Sequence, residues 1–137
     1  MDLRYTTLCL HAPLYYVPDA ALRPFCYPEG DIVMAFDLDA GTGRSIEPDE
    51  ARYLAEPVWL GRSALPVPEG PGAFCIPKGM YFFAQTRELP GRDGWIHLAV
   101  EVQKEGLWQR KNLGRRLYLR TVHEDGGAAA QIFRECF

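Results

Sequence analysis

Apolar and polar positions alternate with a period of two along several short stretches of this chain, each bounded by proline, glycine or an acid-glycine pair. In "DIVMAFDL", Ile32, Met34, Phe36 and Leu38 fall on one side and Val33, Ala35 and Asp37 on the other, the pattern of a half-buried strand. "LRYTTLCLH" and "PVWLGRSAL" read as strands from their β-branched and aromatic content. "FCI" and "MYFFAQTR" read as one strand interrupted at Pro77 and Gly79, the residue types that mark a kink. Tyr81 and Phe83 project to one side of it, Phe82 and Ala84 to the other. Near the C-terminus, "RRLYLRTV" and "AAAQIFRECF" flank the turn "HEDGG", which predicts a hairpin. Gln131, Phe133 and Glu135 share one side of its second strand.

A different period governs residues 93–110. "IHLAVEVQ" alternates, but projection onto a helix puts Trp95, Leu98, Ala99 and Val102 on one face, with His97, Glu101, Lys104 and Glu105 opposite, so a helix is predicted. Two further helical segments are expected to be short. "PDAALRPF" lies among Pro13, Pro18, Pro24 and Pro28, each of which would remove a helical hydrogen bond. "EPDEARYLAE" has a first-turn proline and clustered acids, enough for one or two turns.

The Pro/Gly-rich "PVPEGPG", residues 66–72, divides the chain near its midpoint into halves of about 1–70 and 71–137. Each half reads as a strand, a helix or helical remnant, and two strands. The predicted fold class is therefore α+β: a single domain of duplicated β-α-β-β units, with antiparallel sheet around a central groove.

Composition narrows the function classes. At 137 residues, 47% hydrophobic and 24% charged, the chain has the make-up of one globular domain. A net charge of -3 without a basic stripe argues against nucleic acid as a partner. No stretch reaches the roughly 18 apolar residues of a membrane span, and "MDLRYTTLCLH" lacks the basic and apolar parts of a signal peptide, so no membrane association and a cytoplasmic location are expected. Cys9, Cys26, Cys75 and Cys136 are widely spaced and read as free, mostly buried thiols. His11, His97 and His123 have neither metal-ligand spacing nor a nucleophile partner, so no metal, cofactor or hydrolytic triad is expected.

"IPKGMYFFAQ", followed by the helical segment, "LYLRTV" and the terminal "QIFREC", resembles the GyrI-like effector-binding domain family. The resemblance implies a groove that binds flat, apolar and often cationic small molecules between aromatic walls and a buried acid. Where that pattern has a groove-facing Glu, this chain has Gln131, an amide that can hydrogen-bond but can neither act as a general base nor balance a full charge. The expected function is binding of a small apolar or aromatic ligand, in a groove lined by Phe36, Tyr81, Tyr118, Gln131 and Phe133. Two alternatives stand beside it. One is a hydrolase in which Glu101 or Glu135 works with a groove tyrosine; the other is a protein-binding inhibitor, as the gyrase-inhibitor relatives imply. Edge strands make a homodimer a candidate assembly.

Overall fold

The structure, a computed structural model, describes residues 4–19, 21–25, 30–38, 57–63, 74–124 and 127–137. Eight strands appear: β1 (Arg4–Leu10), β2 (Leu14–Pro18), β3 (Gly30–Asp37), β4 (Trp59–Ser63), β5 (Phe74–Ile76), β6 (Gly79–Thr86), β7 (Leu113–Glu124) and β8 (Gly127–Cys136). One helix, α1 (Arg92–Trp108), lies between β6 and β7. All eight strands join one sheet in the order β1-β6-β8-β7-β3-β4-β2-β5, and every neighbouring pair is antiparallel.

The two ends of that order are built from the same two segments. β1 runs into β2 across residues 11–13, and β5 into β6 across residues 77–78, so one bent pair supplies β1·β6 at one end and β2·β5 at the other. The sheet must therefore curl. Pro77 cannot donate to a ladder, and Gly79 has φ 148°, a backbone that a side chain would strain, so the bend falls where the sequence placed it.

Curling explains why β3 is buried on both faces rather than half-buried. Met34, Phe36 and Leu38 pack with Phe82, Ala84, Leu117, Leu119 and Ile132 beneath α1. Val33 and Ala35 point the other way, into a second cluster on the concave face. The helix is held by Trp95, Leu98, Ala99 and Val102, all buried, as the projection predicts. Each such side chain contributes on the order of 2 kcal/mol by leaving water. Gly106 lets α1 come down on Leu113 and Phe82, where an added Cβ would sit 3.1 Å from a Leu113 methyl. The helix stops at Arg110, whose φ of 60° turns the chain while the Lys111 amide donates to the Gly106 carbonyl. Arg134 is buried on this side, donating to the Gly114 carbonyl and to Gln103 Oε1.

The α+β expectation of duplicated β-α-β-β units is overturned. Strands make up 58% and the helix 17% of the described residues, a mostly-β fold with a single helix among them. In "PDAALRPF" the prolines prevail: residues 19–25 contain a turn, closed by the Leu22 amide on the Asp19 carbonyl and the Ala21 amide on Asp19 Oδ1. The segment "EPDEARYLAE" and residues 66–72 lie outside the described residues. Nor do two units face each other across a groove. β3 and β7 pair continuously from Gly30 opposite His123 to Asp37 opposite Arg116, fusing the halves into one sheet.

Candidate functional site

Side chains of alternate residues on the concave face form a connected layer of rings. Phe83 meets Phe133 at 5.1 Å between centroids, Phe133 meets Tyr81 at 5.7 Å, and Tyr81 meets Tyr118 at 6.2 Å, all near edge-to-face. Tyr118 meets Trp59 at 6.4 Å, and Trp59 in turn meets Phe74 at 5.4 Å and Tyr16 at 6.0 Å. These are the separations at which ring quadrupoles attract. Gly61 makes room for the layer, because a Cβ there would stand 2.9 Å from Tyr16 Cβ and 3.0 Å from the Trp59 ring. The middle of the anticipated groove is thus filled: Tyr81, Tyr118 and Phe133 are only 3%, 5% and 2% exposed.

Burial pushes the hydroxyls of Tyr81, Tyr118 and Tyr16 above the ordinary tyrosine value of 10.0. The fields of Tyr118 and Glu135 push Tyr81 further, while Arg116 pulls Tyr118 partly back. The Tyr81 hydroxyl donates to the Pro77 carbonyl at 2.5 Å, tying the ring to the β5–β6 bend.

At one end of the layer a polar chain crosses five strands. Tyr16 donates to Asp31 Oδ1 at 2.9 Å, and Arg120 grips both Asp31 oxygens, through Nε at 2.9 Å and Nη2 at 2.7 Å. Arg120 Nη1 donates to Gln131 Oε1 at 3.0 Å, and Gln131 Nε2 donates to Gln85 Oε1 at 2.8 Å. A cleft of about 350 Å³ opens here, bordered by Gln85, Arg87, Arg120 and Gln131. Gln85, Arg120 and Gln131 are occupied by this polar chain, whereas Arg87 makes no ion pair among the described residues.

At the other end lies a cleft of about 340 Å³, bordered by β3 at Ala35, Phe36 and Asp37, by Val58 and Trp59, by Phe74, Cys75 and Pro77, and by Arg116 and Tyr118. Trp59, Phe74 and Tyr118 give it an aromatic lining. Its size falls in the lower part of the range typical of small-molecule sites, about 300–1,000 Å³.

The five expected site residues are therefore divided. Tyr118 and Phe36 border the aromatic cleft, although Phe36 packs into the cluster beneath α1. Tyr81 and Phe133 form the buried layer behind it. Gln131 borders the polar cleft at the opposite end. Of the two acids considered for hydrolysis, Glu101 lies on the helix side, near Tyr5, and Glu135 lies on the concave side, within electrostatic reach of Tyr81 and Tyr118. Trp108, at the end of α1, is 83% exposed. Cys9 is exposed, Cys75 part-buried and Cys136 buried, all three as free thiols; Cys26 is outside the described residues.

Sequence reasoning missed Trp59, Phe74, Cys75 and Arg116 among the expected cleft residues. It also missed the Asp31–Arg120 pair, whose members are 89 positions apart. The one local signal was Trp59-x-Gly61, a large ring two positions from a residue with no side chain on the same strand face.

Comparison with protein-family models, curated proteins and solved structures finds no match to this chain in any of the three. Among the described residues, no helix is long and apolar enough to cross a membrane.

Proposed function

We propose that the chain is a cytoplasmic small-molecule-binding domain, the role its resemblance to the GyrI-like family implies, and that it takes a flat aromatic ligand in the cleft bordered by Trp59, Phe74 and Tyr118. The observation that carries this is an open end of a ring layer whose middle is sealed: Trp59, Phe74 and Tyr118, three rings together, border open space of ligand size. A planar ligand stacked there would extend the existing chain of ring contacts and shed water from both partners, the combination that drives aromatic recognition.

Binding is favoured over hydrolysis by the state of the tyrosines. A hydroxyl held protonated by burial, and already donating to a backbone carbonyl as Tyr81 does, is not free to serve as a base or nucleophile. Glu135 raises the Tyr81 and Tyr118 pKa values further, the wrong direction for activation.

A thermal-shift titration with 2-naphthamide tests binding. A ligand specific for the folded state stabilises it by about 2.7 kcal/mol at a hundredfold excess over its dissociation constant. The melting temperature is expected to climb with the logarithm of ligand concentration, and to respond less in Trp59→Leu. No shift with 2-naphthamide or with its charged analogues would remove the proposal.

A further inference from the structure

The charges around the aromatic cleft do not cancel locally. Two charged side chains border it, Asp37 on β3 and Arg116 on β7, at directly opposed register positions. Asp37, however, already has a cation: Arg115 Nε lies 3.3 Å from its Oδ1, and the same Nε donates to the Leu38 carbonyl at 2.7 Å, which fixes Arg115 in place. Arg116 makes no ion pair among the described residues; it borders the cleft beside Tyr118, whose hydroxyl its charge pulls back toward the ordinary value. Glu135, the other acid among the described residues on this side, lies over Gly114, where a Cβ would come 2.8 Å from its Cγ; its field reaches Tyr118, but it is not a lining residue of the cleft. Cys75, a free thiol, also borders the cleft.

We infer that the ligand of this cleft is an aromatic carboxylate, its ring against Trp59 and Tyr118 and its anionic group on the Arg116 guanidinium. This rests on the binding proposal above and adds the ligand's charge. Guanidinium presents a planar fork that matches a carboxylate. The neighbouring Asp37 does not oppose an incoming anion with its full field, because Arg115 screens it. The departure from the cation expected of a groove with a buried acid follows from the same residues: among the described lining residues, the acid is ion-paired and the base is not.

Three probes of one shape separate charge from shape: 2-naphthoate, 2-naphthamide and 2-naphthamidine, titrated calorimetrically into the whole chain at low salt. The inference predicts that 2-naphthoate binds at least tenfold more tightly than 2-naphthamide, and that its affinity falls as salt is raised. Arg116→Gln, at an exposed position, should reduce 2-naphthoate to the affinity of 2-naphthamide and leave the amide's affinity within twofold. Equal binding of all three probes, or a preference for 2-naphthamidine, would overturn the carboxylate assignment while leaving aromatic binding intact. Failure of all three to bind overturns the binding proposal itself. Should Arg116→Gln not fold, the salt dependence of 2-naphthoate affinity in the unaltered chain decides: a slope shared by 2-naphthamide contradicts the assignment, and a slope confined to the anion supports it.

Discussion

Raising the pH through the tyrosine range perturbs the ring layer directly, because three of its hydroxyls are buried and lifted above their ordinary value. In an unfolded chain Tyr16, Tyr81 and Tyr118 would ionise near 10.0, whereas in the folded protein they hold their protons to higher pH. Above pH 10 the folded state therefore binds more protons than the unfolded one, and stability must fall as pH rises. Below pH 10 both states are protonated and these groups make stability independent of pH. Tyr16 and Tyr81, the two lifted furthest, each cost about 1.4 kcal/mol per pH unit beyond 10, so together they remove about 3 kcal/mol by pH 11, and Tyr118 adds to the loss in the same direction. Set against the 5–15 kcal/mol typical of a whole domain, such a loss is enough to drive alkaline unfolding as pH rises further. Absorbance at 295 nm reports phenolate, and circular dichroism on the same samples reports the sheet. The expected result is that the phenolate signal of the buried three appears only together with loss of the sheet signal. Tyr118→Phe should remove one buried phenolate and flatten the alkaline slope. If all seven tyrosines ionise near 10 while the sheet persists, the rings are not sealed as described.

Other perturbations address single contacts. Gly61→Ala forces a methyl against Tyr16 and Trp59 and should destabilise the fold by about 1–3 kcal/mol in urea unfolding, with weakened 2-naphthamide binding as the Trp59 ring is displaced. Asp31→Asn removes the charge that Arg120 grips with two nitrogens; since both side chains are about one-fifth exposed, a loss of about 2 kcal/mol is expected from the urea midpoint, short of the cost of a fully buried pair. Trp108→Ala changes a ring that is almost wholly in water, so the urea midpoint should move by less than about 0.5 kcal/mol.

Local patterns carried much of the strand inventory. Period-two runs found β3, β6, β7 and β8, and a helical period correctly outweighed the alternation of "IHLAVEVQ", because Trp95, Leu98, Ala99 and Val102 need one shared face. What local pattern could not carry was the assembly. Whether β3 pairs with β7 is decided by contacts between partners from Asp37 and Arg116 to Gly30 and His123, far apart in the chain, and a half-buried strand and one enclosed by a curled sheet can show the same alternation. The internal echo between the halves was therefore read as two facing units, where the chain builds one sheet. The site followed the same division. That Tyr81, Phe133, Gln131 and Glu135 share a face was legible from alternation. That rings would fill its middle, sending Gln131 to one opening and Tyr118 to the other, depended on the curl, and so did the meeting of Asp31 with Arg120.

Two-dimensional heteronuclear NMR of the labelled chain during titration with 2-naphthoate is the most direct test of the cleft. Binding as described perturbs the Trp59 indole resonance and the amides of Ala35, Cys75, Arg116 and Tyr118, while those of Gln85 and Gln131 at the far opening stay in place. Shifts centred instead on Trp108 and the end of α1, or on Gln131 and Arg120, would contradict it.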